Sequence, residues 1–244
     1  MRATNPPSAV ASKTGNSLAR DRSLLITLIV MLAVVGLLLA FAYLSGEVLE
    51  GETRGIDMRA LLAAQTLRSH HPWVAEIMRD FSGLGSMVVL TLFVAAVAGY
   101  LWLLRQCTFA VLVVLSALSG NLLVSGMKVL FDRARPDASF AAFVVPSLSF
   151  PSGHASMSAL VFLTVASLLA SATGGLPIRL YLLGVAAAMT VLVGASRVVL
   201  GVHWLTDVLG GWVFGTAWAI AWLLLATELK RRGRLSSGRV HSSG

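Results

Sequence analysis

The chain has 244 residues, 57% of them hydrophobic and only 12% charged, where a soluble domain carries about a quarter charged residues. With a mean hydropathy of +0.82, this composition sets aside a soluble globular domain in favour of an integral membrane protein. The formal net charge of +8 does not point to nucleic acid: many Lys and Arg lie at the two ends and beside apolar segments, where a membrane explains them, and no aromatic-basic interleaving accompanies them. One cysteine, Cys107, allows no disulfide within the chain.

Residues 1–22 are polar and basic and read as a disordered tail. The run 23–45 is long enough to cross about 30 Å of hydrocarbon. Ala40-Phe41-Ala42 resembles a small-x-small cleavage site, but the run exceeds the roughly 7–15 residues of a signal-peptide core, so an uncleaved anchor is favoured. Further spans are expected at 86–104, 109–130, 155–173, 180–200 and 204–227. They predict an all-α membrane bundle of about six transmembrane helices, because lipid cannot satisfy an exposed backbone. Gly211-x-x-x-Gly215 reads as a close helix–helix contact within the chain. The transmembrane domain is expected over 23–229, followed by a basic tail at 230–244.

The segment 46–85 differs in its charge. Met58, Leu61, Leu62 and Leu67 follow an approximate helical spacing, which suits either an amphipathic helix on the membrane surface or a solvated loop carrying one helix. His70 and His71 read as a solvated pair, with no ligand partners at metal spacing. An even number of spans puts both ends on one side. Arg20, Arg22, Lys230, Arg231, Arg232 and Arg234 make that side the cytoplasm, with Arg105 and Arg179 in the short loops facing it. The connections 46–85, 131–153 and about 197–204 then face outward.

Three polar clusters fall at these outward ends. In "KVLFDRARP" (128–136), Lys128 closes an apolar run and Arg133, Arg135 and Pro136 follow; charges at that depth are costly and mark function unless they snorkel to the interface. In "PSGH" (151–154), Ser152 and Gly153 precede a long helix whose unpaired N–H groups and positive dipole end suit an anion. Ser152 also serves as an ordinary N-cap, but that leaves His154 unexplained. In "SRVVLGVHWLTD" (196–207), Arg197 ends one span, and His203 and Asp207 stand four apart on one helix face. A carboxylate beside an imidazole fixes its tautomer and stabilises its cation. Lys128, Arg135 and Arg197 are three cations suited to the three non-bridging oxygens of a phosphate; His203 is suited to attack phosphorus and His154 to protonate the departing oxygen.

Taken together, Lys128-x6-Arg135-Pro136, Pro151-Ser152-Gly153-His154 and Ser196-Arg197-x5-His203-x3-Asp207 resemble the tripartite signature of the type 2 phosphatidic acid phosphatase (PAP2) superfamily, which includes membrane lipid phosphatases and vanadium haloperoxidases. The resemblance implies that Lys128, Arg135 and Arg197 bind phosphate, helped by Ser152 and the Gly153 amide. It implies that His203 is the nucleophile, forming a phosphohistidine, that Asp207 orients it, and that His154 is the general acid and then activates water. Pro136 and Ser196 are supporting residues. No metal and no cofactor are implied. The expected function is hydrolysis of a lipid mono- or diphosphate (undecaprenyl diphosphate, phosphatidic acid or phosphatidylglycerol phosphate) at the extracytoplasmic face of the plasma membrane. The expected partners are that lipid and the bilayer, not nucleic acid. The alternatives are a non-enzymatic lipid-phosphate binder or scaffold, and a vanadate-dependent haloperoxidase. An amphipathic helix over 57–69 is further expected to gate lateral entry of the lipid.

Overall fold

Apolar runs in lipid must pair their backbone groups internally, and a helix does so within one segment. The computed structural model describes residues 8–172 and 175–231. Among them the elements are helical: α1 (Ser8–Glu50), α2 (Arg54–His70), α3 (Trp73–Leu84), α4 (Met87–Leu103), α5 (Cys107–Phe131), α6 (Gly153–Ala172), α7 (Leu176–Val199) and α8 (Leu205–Arg231), with one 3₁₀ turn at Ala138–Phe140. The all-α expectation holds. The disordered tail expected at 1–22 does not hold in full: α1 is helical from Ser8, and residues 1–7 lie outside the described residues. Most of the basic tail at 230–244 also lies outside them.

Among the described residues, five stretches are long and apolar enough to span a bilayer: Leu24–Glu50, Cys107–Phe131, Gly153–Ser171, Leu176–Val199 and Leu205–Leu229. The sixth expected span, at 86–104, is not a single straight helix. α4 has 17 residues, about 26 Å of helix, and falls short of the roughly 30 Å core. It reaches spanning length only together with α3, across a 41° bend. Gly85 stands at that bend. A Cβ there would collide with Val193 of α7 and come 3.4 Å from Cδ2 of His154, so the bend lets the α3–α4 junction lie directly against the start of α6. Ser86 then caps α4, its Oγ accepting from Val89 N at 3.3 Å.

The segment 46–85 thus holds two helices rather than one helix in a loop. α2 is two-faced: Asp57, Leu61 and Ala64 are buried, while Ile56, Met58, Leu62 and Leu67 are exposed. Its inner face packs on α7 and α8. At its C-terminal end, Arg68 donates to the carbonyls of Val199 and Phe140.

α6 is the central helix and packs against α4, α5, α7 and α8. Leu90, Val94, Val113, Met157, Leu160 and Val161 form the buried apolar cluster between α4, α5 and α6. Gly211 and Gly215 bring α8 onto α6. A Cβ at Gly211 would stand 2.8 Å from Ala155 Cβ and 2.9 Å from Ser152 O, and one at Gly215 would strike the Ser156 carbonyl. The small-residue pair is therefore a contact inside the chain. α1 lies on α8, where Phe41 stacks on Phe150 at 5.8 Å and meets Phe214 at 5.8 Å. Because α5 to α8 alternate in direction, the C-terminal ends of α5 and α7 meet the N-terminal ends of α6 and α8 at one end of the bundle.

Candidate active site

That shared end gathers all three polar clusters. α5 stops at Asp132, which takes a left-handed conformation (φ 42°) and returns its N–H to Lys128 O at 3.1 Å. The chain then runs through Arg133, Arg135 and the buried Pro136. Ser149 N donates to Arg133 O at 2.8 Å, and Trp204 Nε1 donates to Ala134 O at 2.9 Å, so this motif is pinned to both others.

The α7–α8 turn is the second anchor. Gly201 has φ 70°, and a side chain there would meet the Phe140 carbonyl; only glycine suits both conditions. The turn delivers His203 and Asp207, both essentially fully buried. Asp207 Oδ2 accepts from His203 Nδ1 at 3.1 Å, from Trp204 N at 2.9 Å and from the Ser149 hydroxyl. Oδ1 accepts from Arg133 at 2.6 Å. The bond to Trp204 N closes the first turn of α8 as a capping box does. With fixed donors around the carboxylate, Nδ1 of His203 carries the ring proton and Nε2 keeps the lone pair. Burial holds the His203 imidazole far below its ordinary value, at about 3, although Asp207 acts in the opposite sense. The ring is therefore neutral near pH 7.

The four cations of the site fall into two kinds. Arg133 is compensated, pairing with Asp207 and Asp57 at 2.6 Å each. Lys128, Arg135 and Arg197 have no carboxylate partner among the described residues. Lys128 Nζ donates to Leu148 O at 2.6 Å. Arg135 donates to the Ser147 carbonyl and hydroxyl at 2.6 and 2.9 Å and to the Val202 carbonyl. Arg197 is 3% exposed, donates to the Ser82 hydroxyl at 2.5 Å and lies 5.5 Å over the Phe143 ring. Its Nε is buried without a partner among the described residues, at a cost of about 1–3 kcal/mol.

Ser152 sits at the start of α6, where its Oγ accepts from Ala155 N at 3.5 Å. A Cβ on Gly153 would only reach ordinary contact, 3.9 Å from Lys128 Cε. Neither packing nor a positive φ requires glycine there. His154 lies within electrostatic reach of Arg197, His203, Arg135 and Lys128, and its ring forms no hydrogen bond among the described residues. Ser196 is buried and donates to Val193 O of its own helix at 2.6 Å, so its hydroxyl serves α7.

Sequence reasoning missed Asp57, Ser82, Ser149 and Thr206, and named Arg133 only as a neighbour of Arg135. Ser149 and Thr206 adjoin recognised motifs; Asp57 and Ser82 carry no local signal. Among the described residues, no three His, Cys, Asp or Glu side chains gather at metal-ligand distance.

The PAP2 superfamily pattern matches residues 109–231. The chain is 33% identical over 183 residues to phosphatidylglycerophosphatase B of Bacillus subtilis (strain 168), covering 74% of this chain and 88% of that protein. It resembles the crystal structure of a transmembrane PAP2-type phosphatidylglycerolphosphate phosphatase from Bacillus subtilis at a TM-score of 0.74 and 30% identity, over 81% of this chain and 98% of that one. The fold also resembles Aquifex aeolicus LpxE at a TM-score of 0.51 and 24% identity, over 69% and 94% of the two chains.

Proposed function

The chain belongs to the PAP2 superfamily, and from that premise we propose that it is a multi-pass membrane phosphatase that removes phosphate from a lipid headgroup. One observation carries the reading: of four cations at the site, the two carboxylates neutralise one and leave Lys128, Arg135 and Arg197 uncompensated around a neutral, Asp-backed histidine. Such a set suits an anion whose phosphorus His203 attacks.

In the first step, Nε2 of His203 forms a bond to phosphorus as the P–O bond to the lipid breaks, and protonated His154 gives its proton to the departing lipid oxygen. The imidazolium that forms is stabilised by Asp207. In the second step, His154 takes a proton from water, the hydroxide attacks phosphorus, the P–N bond breaks and inorganic phosphate leaves. Lys128, Arg135, Arg197 and the Gly153 amide bind the charge that builds on the equatorial oxygens. The chemistry needs no metal, so EDTA leaves turnover unchanged.

The relatives favour a phosphatidylglycerol phosphate-like monoester. An apolar groove of about 300 Å³ supports a lipid substrate: Met157, one helical turn from His154, lines it with Leu90, Val94 and Val114. Arg105 and Arg179 precede or open α5 and α7 at the end of the bundle opposite the site, which supports an extracytoplasmic site by the positive-inside rule. A headgroup binder would use the same cations but leaves the His203–Asp207 pair without a purpose. The test is phosphate release in detergent from phosphatidylglycerol phosphate, phosphatidic acid and undecaprenyl diphosphate, with His203→Ala alongside. Release by the parent alone supports the reading; equal release by His203→Ala, or none from any lipid, refutes it.

A further inference from the structure

Asp57 stands on α2, 76 residues before Arg133 and outside the stretch that matches the superfamily pattern. It is 1% exposed. Its Oδ2 accepts from Arg133 at 2.6 Å, and its Oδ1 accepts from Thr206 N at 2.9 Å. The Thr206 hydroxyl lies 2.8 Å from Oδ2 and itself accepts from Arg133 at 2.8 Å. The other end of the Arg133 guanidinium holds Asp207 Oδ1 at 2.6 Å.

From this geometry we infer that Asp57 is a positioning residue for the phosphoryl-transfer step, acting through Arg133 and Thr206 on Asp207. Arg133 is a fork with one prong on each carboxylate. Held by Asp57, it can offer Asp207 only one N–H, at Oδ1. Oδ2 then stays with His203, Ser149 and Trp204. Without Asp57, the freed prong is drawn to Asp207 or swings towards solvent, since Arg133 is 14% exposed. Either movement disturbs the carboxylate that orients the His203 ring. Asp57 also supplies an acceptor to the first turn of α8, the turn that carries Asp207, from a different helix. The surface helix α2 is in this way tied to the chemistry. Deleting 57–69 therefore removes a positioning group along with any gate.

Asp57→Asn separates these two contributions. The amide oxygen keeps the Thr206 N–H, while its NH₂ faces Arg133 donor to donor. The inference rests on the phosphohistidine reading above, so wild type and His203→Ala are measured first; failure there overturns that reading and leaves Asp57 out of account. Given an active parent, turnover of phosphatidylglycerol phosphate in mixed micelles is compared across Asp57→Asn, Arg133→Gln and the double variant, with inhibition by orthovanadate as a readout of the phosphate site. Asp57→Asn is expected to lower kcat by about ten- to a hundredfold, the range for groups that orient a working side chain. KM and vanadate inhibition stay within about twofold of wild type. In the Arg133→Gln background, Asp57→Asn adds less than about twofold, because coupled residues are not additive. Wild-type kcat in a folded Asp57→Asn protein overturns the inference. So does a loss that adds in full to that of Arg133→Gln, or one that moves vanadate inhibition with it, as a general loosening of the fold would. Should Asp57→Asn fail to fold, Thr206→Val decides on the same terms: a kcat-only loss absent from the Arg133→Gln background supports the inference, and wild-type kcat overturns it.

Discussion

Replacing Asp207 by Asn removes one charge while keeping the side-chain volume, and its cost can be worked from the site. In the proposed phosphohistidine step the His203 ring becomes cationic, 3.1 Å from the carboxylate oxygen it bonds. Charge centres about 4 Å apart at an effective dielectric near 20 interact by about 4 kcal/mol, about a thousandfold in rate. Neither orientation of the amide escapes this loss. With its oxygen towards His203, Ser149 and Trp204, the NH₂ group faces the Arg133 donor that now sits 2.6 Å from Oδ1. With the amide reversed, its NH₂ meets Nδ1 of His203, pushes the ring proton to Nε2 and removes the attacking lone pair. In hydrolases with a Ser–His–Asp triad, that tautomer error costs about 10⁴ in kcat. Asp207→Asn is therefore expected to lower kcat by about 10³ to 10⁴ with little change in orthovanadate inhibition, whereas His203→Ala abolishes turnover. The assay is phosphate release at saturating phosphatidylglycerol phosphate in mixed micelles, on protein shown to be folded. A kcat within tenfold of wild type would refute the role given to Asp207.

Three further outcomes are expected. Arg197→Ala removes a buried cation with no carboxylate partner among the described residues, and should lower kcat/KM by about 10²–10³ while weakening vanadate inhibition; steady-state kinetics with both ligands checks this. Gly211→Ala places a Cβ 2.8 Å from Ala155 Cβ and should destabilise the protein by about 1–3 kcal/mol, whereas Gly184→Ala, with nothing within 4 Å, should not; thermal unfolding in detergent separates them. Acid should destabilise the fold through His203. Its value is about 3 when folded and about 6.5 when unfolded, so the unfolded chain binds the extra proton between these limits. His203 thus imposes no penalty above about pH 6.5 and destabilises the fold increasingly as the pH falls from there towards about 3. The fall in unfolding temperature from pH 7 to pH 4.5 should be smaller in His203→Gln than in wild type.

The parts of this molecule legible in its sequence are those whose signal is local. Apolar runs longer than a bilayer is thick announced the spans, and the boundaries of α5, α7 and α8 lie within a few residues of the runs. Lys128, Arg135, His154, Arg197, His203 and Asp207 were legible because each lies beside a span end within a short, fixed spacing, and alternating helices carry such ends to one place. Span 86–104 was harder to define because α4 is too short alone, and its continuation into α3 crosses Ser82 to Ser86, which reads as a break. α2 was only half legible. Met58, Leu62 and Leu67 are exposed, as a membrane-facing stripe requires, while Leu61 is buried against the bundle, and the spacing alone could not tell the two faces apart. What seats the helix is a carboxylate, Asp57, together with an arginine, Arg68, at the other end.

Asp57 shows why a site's supporting residues resist sequence reading more than its reacting ones. Among ten charged residues between 46 and 85, nothing distinguishes it: an Asp in the first turn of a helix is ordinary helix chemistry. Its meaning comes from Arg133, and the meaning of Arg133 comes from Asp207, contacts that cross 76 and 74 residues. Nor could charge counting separate Arg133 from Arg135, two residues away and of the same type. The backbone separates them: after the left-handed turn at Asp132, Arg133 reaches the carboxylates, while Arg135 reaches the carbonyls of Ser147 and Val202. One arginine is thereby held on the two carboxylates, and the other makes no ion pair among the described residues, which leaves its charge available to the proposed substrate.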